Sequence, residues 1–247
     1  WGDMSAAWSW VQPEVAKTTR VCTYDRAGMG WSESSPHPRT AREYAKELHT
    51  LLEKAHVPGP YVLVGHSMGG FTVIVYAHDY PADVSGLVLV DTQDLPKSDG
   101  ATPKPAPKPG GASLPSLLAR IGVVRLLAGP LGAIQDLPEG DKQAYTAYAV
   151  ALRSVQTFTD EGKGMSEGGA QARAVTSLGA LPVIVLSRGE DQDAKHTAAQ
   201  ADLLQLSTNS QQFFADQSGH TIHIDQPEAA VAAIVKMVEL VRQSTKK

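Results

Sequence analysis

Residues 61–71 read YVLVGHSMGGF, and the order of residue types within them decides the fold. The β-branched run Tyr61–Val64 suits a short buried strand and is too brief for a helix. It ends in Gly65-His66-Ser67-Met68-Gly69, and the apolar stretch Gly69–Asp79 that follows reads as a helix. A strand that reverses at once into a helix needs small residues where the two elements nearly touch. Gly65, Gly69 and Gly70 are expected to relieve that crowding. The turn lifts the Ser67 hydroxyl above the sheet at a helix N-terminus, where the Met68 backbone N–H and the helix dipole can meet a developing oxyanion. These are the requirements of an activated serine nucleophile. A phosphate-binding turn is the competing reading, but no GK[ST] or G-x-G-x-x-G sequence accompanies it.

Outward from this segment the same alternation repeats. Arg20–Tyr24, Gly86–Val90, Val183–Ser187 and Gln212–Ala215 read as further strands. Thr40–Ala55, with Ala41, Tyr44, Ala45, Leu48, Leu51 and Leu52 at helical spacing, and Ala229–Arg242 read as helices. Such alternation predicts the α/β class, with a mostly parallel central sheet flanked by helices. Leu95–Pro115 is too rich in Pro, Gly and Lys to hold a packed element. Residues 116–178 then carry helical patterning with no strand signal. The expected organisation is a core in two parts, 1–95 and 179–247, with a Pro-rich leader and an inserted α-helical cap over 96–178. A linker between two independent domains is the alternative, disfavoured because the later strands are needed to finish the sheet. Ile121, Val123, Val124, Leu126 and Leu127 are expected to give the cap an apolar pocket.

A chain of 247 residues can bury a large single core without disulfides or metals. Its net charge of -4 and scattered Lys and Arg leave no basic field for nucleic acid. Cys22 is the only cysteine, so no intramolecular disulfide forms, and in RVCTY it is expected to be buried as a small apolar residue. The longest apolar runs are too short to span a bilayer, and no charged region followed by an apolar one opens the chain. The sequence therefore reads as a soluble protein; its compartment stays open, with the cytoplasm slightly favoured.

After the last apolar run comes SGHTIHIDQPE, residues 218–228, leading into the final helix. His220 falls on the loop after the last strand, where its Nε2 can reach a serine hydroxyl while Nδ1 faces a carboxylate, and it is the expected general base. His66 adjoins Ser67 on the turn and points elsewhere, which suits a structural role. His223 is the rival base. HTIH also has the spacing of a metal-binding pair, but no third ligand accompanies it in sequence, so His223 is expected to pack the loop and no metal is expected. Two strand ends offer the acid: Asp91 after GLVLV, and Asp191 or Asp193 after VIVLS.

Together YDRAGMGWSES, GHSMGG, YPADVSGLVLVD and SGHTIHIDQPE resemble the α/β-hydrolase superfamily, in the order expected across nearly the whole chain. The resemblance implies an acid after the later strand in a G-x-x-D turn, but Gln192 stands at that carboxylate position here. In a minority of members the acid follows the preceding strand, where Asp91 stands. Asp91 is therefore favoured, with Asp191 the alternative. The resemblance also implies further strands ahead of Trp1, a second oxyanion N–H near Trp1 or Gly2, and a structural ion pair of Asp25 with Arg26. Its functional implication is a serine hydrolase that cleaves a small-molecule carboxylic ester through an acyl-enzyme, with no cofactor. Amide, lactone or carbon–carbon bond hydrolysis, or non-catalytic ligand binding, are the alternatives. An aspartate nucleophile would point to dehalogenase or epoxide hydrolase chemistry, and Ser67 stands in its place.

Overall fold

The computed structural model describes residues 1–95, 105–111, 113–126 and 136–244. Much of the Pro-rich tract and Leu127 lie outside the described residues.

Strands β1 (Tyr61–His66), β2 (Val84–Val90), β3 (Val183–Arg188) and β4 (Ser210–Ala215) form one sheet in that spatial order, and every neighbouring pair is parallel. Helices in chain order are α1 (Gln12–Ala16), α2 (Ala41–Lys54), α3 (Met68–Asp79), α4 (Leu114–Arg120), α5 (Glu139–Ala149), α6 (Leu152–Arg173), α7 (Ala194–Leu203), α8 (Ile222–Asp225) and α9 (Pro227–Ser244).

The runs GLVLV and VIVLS are apolar on consecutive residues because both sheet faces are covered. Leu87, Leu89, Val183 and Val185 pack on one side with Tyr44, Ala45 and Leu48 of α2 and with Phe71 to Ala77 of α3. Val88, Val90, Ile184 and Leu186 pack on the other with Ala230, Ala233, Ile234 and Met237 of α9. Side chains alternate between faces along each strand, so a one-residue slip would exchange these two sets.

The expected core and helical stretches are present with small changes at their ends. Arg20–Tyr24 differs: it has no regular secondary structure. No described strand offers it a ladder, and a β-branched run without inter-strand hydrogen bonds does not become a strand. Cys22 is exposed, not buried. Its neighbour Val21 turns into the core beneath α9, so Cys22 faces outward.

The described regular elements between Leu114 and Arg173 are helices, as the patterning predicts. The longest, α6, crosses α2 and α3 so closely that a Cβ on Gly164 would lie 2.1 Å from the Arg39 carbonyl oxygen. Only glycine permits that approach. Of the residues expected to give the cap an apolar pocket, Ile121 and Leu126 are 67% and 78% exposed, and Val123 and Val124 are half-buried. A cavity of about 550 Å³ opens instead between the loop carrying Ala27 and Arg39 and helices α4 and α6, with Ser116, Arg120, Thr157 and Asp160 in its wall. Ser67, Asp91 and His220 do not line it.

Candidate active site

Parallel strands leave their carboxyl ends along one side of the sheet, and an open α/β sheet gathers its ligand-facing residues there. Ser67 follows β1, Asp91 follows β2, Arg188 ends β3, and His220 lies on the loop after β4. The four residues converge although they are far apart in sequence.

Ser67 has φ 53° and ψ -123°, a left-handed conformation costly for a residue with a Cβ. The neighbouring chain holds it there. Its N–H donates to the Val90 carbonyl at 3.0 Å, and its carbonyl accepts from Gly70 at 3.0 Å and Gln93 at 3.2 Å. A Cβ on Gly65 would lie 2.5 Å from the Gly69 carbonyl oxygen, and one on Gly70 would lie 2.2 Å from Thr92 Oγ1. Both glycines are required by close approach. Gly69 is not: a Cβ there meets nothing within 4 Å, because its Cα faces open space. Met68 is the first residue of α3, where a helix has no intrahelical acceptor for its amide.

His220 joins the two ends of the constellation. Its Nε2 lies 2.9 Å from Ser67 Oγ and its Nδ1 lies 2.5 Å from Asp91 Oδ2. Asp91 has no exposed surface and a φ of 37°. Burial pushes its carboxyl toward neutrality, but hydrogen bonds from His220 and the Arg188 N–H, with the nearby histidine charges, hold it below its ordinary value. This arrangement can pass a proton from the Ser67 hydroxyl to His220 Nε2 while Asp91 keeps the ring oriented.

Two further residues, Arg188 and His196, contact Asp91, and the sequence reading carries no signal of either contact. Its Oδ1 accepts from the Arg188 N–H at 3.2 Å and meets His196 Nε2 at 2.9 Å, and Arg188 Nη1 approaches Oδ2 at 3.3 Å. His196 Nδ1 faces Asp94 Oδ1 at 3.3 Å. Asp193 caps α7 by accepting from the His196 N–H at 2.7 Å, which places His196 in the first turn and aims it at β2. The Asp193-x-x-His196 spacing is the sequence signal of that cap.

Asp191 is exposed, and neither it nor Asp193 bonds to His220 among the described residues. Gln192, at the expected carboxylate position, donates instead to the Arg188 carbonyl. Trp1 stacks on Phe158 of α6, with centroids 4.4 Å apart, and its indole N–H donates to the Phe158 carbonyl at 2.9 Å. The Gly2 N–H donates to Glu161 at 2.7 Å. Both residues are thus engaged on α6, and no hydrogen bond joins Trp1 to Ser67 or His220 among the described residues.

Asp25 and Arg26 do not pair with each other, because adjacent side chains on this loop diverge. Arg26 meets Glu161 of α6 at 2.9 Å, whereas Asp25 accepts from the Ser5 N–H at 2.8 Å and the Trp31 N–H at 3.0 Å. His66 bonds the His220 carbonyl through Nε2 at 2.8 Å, the structural role expected of it. His223 is fully buried in α8, stacked on Trp8.

A sequence model described as "Alpha/beta hydrolase family" matches residues 1–234. The Bacillus subtilis (strain 168) protein YqjL is 29% identical over 240 residues, covering 95% of this chain and 79% of YqjL. A shorter match, 39% identical over 95 residues, covers 37% of this chain and 14% of a Hormonema carpetanum protein named "Probable transporter efuK". Among solved structures, the epoxide hydrolase CorEH superposes with TM-score 0.73 at 19% identity, covering 98% of this chain and 89% of CorEH. A thermophilic esterase from Thermogutta terrifontis gives TM-score 0.69 at 22% identity, covering 96% and 86%. At these identities the structural likeness speaks for the fold alone. Among the described residues, no helix is long and apolar enough to cross a membrane.

Proposed function

Because the chain belongs to the alpha/beta hydrolase family, we propose that it is a serine hydrolase that cleaves carboxylic esters through an acyl-enzyme on Ser67. The observation that carries this reading is His220, placed 2.9 Å from the Ser67 hydroxyl and 2.5 Å from a buried carboxylate. In the proposed mechanism His220 takes the Ser67 proton as the oxygen attacks the carbonyl carbon, and Asp91 stabilises the resulting imidazolium. The Met68 N–H, at the positive end of α3, faces the oxyanion. His220 then returns the proton to the departing alkoxide, a water takes its place, and the same steps in reverse order free the acid.

An ester is favoured over an amide because an alkoxide needs less protonation to leave than an amine. Residues 96–178 would form a cap above the strand ends, between the two parts of the core. The test is labelling with a fluorophosphonate, followed by hydrolysis of p-nitrophenyl esters of graded acyl length. Stoichiometric labelling of wild type, with both label and turnover lost in Ser67→Ala, is the expected result. Labelling without ester turnover would move the reading to another acyl bond, and no labelling at all would favour non-catalytic ligand binding.

A further inference from the structure

His223 poses a problem that the hydrolytic reading does not solve. It has no exposed surface, yet neither ring nitrogen has a hydrogen-bond partner. A buried imidazole is ordinarily partnered on at least one nitrogen, since an unmade hydrogen bond in the interior is costly. The nearest charged group is Asp3, with Oδ2 3.5 Å from His223 Nε2. A charge-assisted hydrogen bond would close to about 2.8 Å. The two groups face each other at ion-pair distance, too long for a well-formed hydrogen bond.

His66 completes the group. One donor atom from each of Asp3, His66 and His223 lies within 4.8 Å of the others. His66 gives its Nε2–H to the His220 carbonyl, so its lone pair sits on Nδ1. A histidine oriented by a backbone carbonyl on its second nitrogen is the usual support of a metal-binding imidazole. Bonds of about 2.1 Å in tetrahedral geometry set ligand atoms about 3.4 Å apart, close to the 3.5 Å Asp3–His223 separation, and His66 offers its ligand atom within 4.8 Å of both.

We propose that Asp3, His66 and His223 form a binding site for one divalent cation of the Zn²⁺ class, separate from the Ser67–His220–Asp91 group. Two imidazoles and one carboxylate leave a fourth position for water, and this donor set suits Zn²⁺, Ni²⁺ or Co²⁺ better than Mg²⁺ or Ca²⁺. A cation here would tie the N-terminal segment, the end of β1 and α8 together, and would brace His220 through its carbonyl.

The sequence pairs His220 with His223 as the apparent ligands, but both His220 nitrogens are engaged by Asp91 and Ser67. His223 alone of that pair remains, and the other two ligands, Asp3 and His66, come from segments distant in sequence.

The test is direct. Tag-free protein is stripped with a chelator, dialysed against Zn²⁺, freed of excess metal, and analysed for bound zinc and for its melting temperature. Wild type and Ser67→Ala should retain about one zinc per chain and melt several degrees higher when loaded. Asp3→Asn and His223→Gln should lose the zinc and the rise. Asp3→Asn is included because its side chain is the less buried of the two, so loss of zinc can be read in a folded protein. Wild type that retains no more zinc than Asp3→Asn, or variants that retain as much as wild type, would overturn the proposal. None of these outcomes depends on whether Ser67 hydrolyses an ester.

Discussion

Asp91 and Glu161 are both carboxylates with no exposed surface, and both are held below their ordinary pKa by partners that outweigh burial. They differ in what lies on the far side of those partners. Asp91 holds His220, whose second nitrogen lies 2.9 Å from a hydroxyl and whose side chain is 41% exposed. Glu161 holds Arg26, the Tyr44 hydroxyl at 2.8 Å and the Gly2 N–H at 2.7 Å. A guanidinium does not give up its proton in a protein, so the second network ends where it begins. A buried ionised carboxylate alone marks no reactive site. The partner must also be able to take a proton from a third group.

The largest effects should come from breaking the first network. Ser67→Ala should lower kcat for a p-nitrophenyl ester on the order of 10⁵-fold or more, because nucleophile and base act as a unit. Asp91→Asn should cost about 10⁴-fold, since an amide can impose the wrong tautomer on His220. Steady-state kinetics on folded variants would check both, and an Asp91→Asn variant within tenfold of wild type would sever Asp91 from the chemistry.

Breaking the second network should affect folding. Glu161→Gln leaves the partly buried Arg26 without its counter-charge and should cost about 3 kcal/mol in urea unfolding. Its kcat per folded molecule should stay near wild type. Because the Glu161 pKa is lowered from 4.5, its contribution is complete above pH 4.5 and is lost as pH falls through the lower folded value. Wild type and Glu161→Gln should therefore differ most in stability at neutral pH and converge in acid. A constant difference down to pH 3 would show that the pair is not what holds α6 to the loop.

His196 tests the comparison from within the first network, because it touches Asp91 but not Ser67. Under the proposed function it would position Asp91 and touch no reacting atom. His196→Ala should lower kcat about tenfold with KM unchanged, a loss of about 1.4 kcal/mol. His196→Gln, which can still donate to Asp91, should recover most of it. Equal losses in both variants would mean that the imidazole itself, and not its hydrogen bond, is needed.

These networks also separate what the sequence shows from what it hides. The turn at Ser67 is legible because its physics is local: a strand, a helix and two glycines that must nearly touch within a few residues. The sheet is legible because β2 and β3 are buried on both faces and read as unbroken apolar runs. Arg20–Tyr24 looks equally strand-like, but a strand needs a neighbour, and no local pattern reports whether one is present. Glu161 gives no local sign that it will meet Arg26, since the pair is set by the crossing of α6 over distant residues. Asp3, His66 and His223 are hidden for the same reason.

The smallest effect sharpens the comparison most. Asp191 stands beside the position where resemblance expects an acid, and its carboxylate comes near the His220 loop, since a Cβ on Gly219 would lie 3.7 Å from Asp191 Oδ2. Proximity alone therefore does not distinguish it from Asp91. Burial and bonding do: Asp191 is exposed, and solvent screens a charge that makes no hydrogen bond to the imidazole. Asp191→Asn should change kcat less than about twofold, against about 10⁴-fold for Asp91→Asn. A loss of comparable size at Asp191 would mean that His220 exchanges its carboxylate during turnover, and that the 2.5 Å contact with Asp91 describes only the resting arrangement.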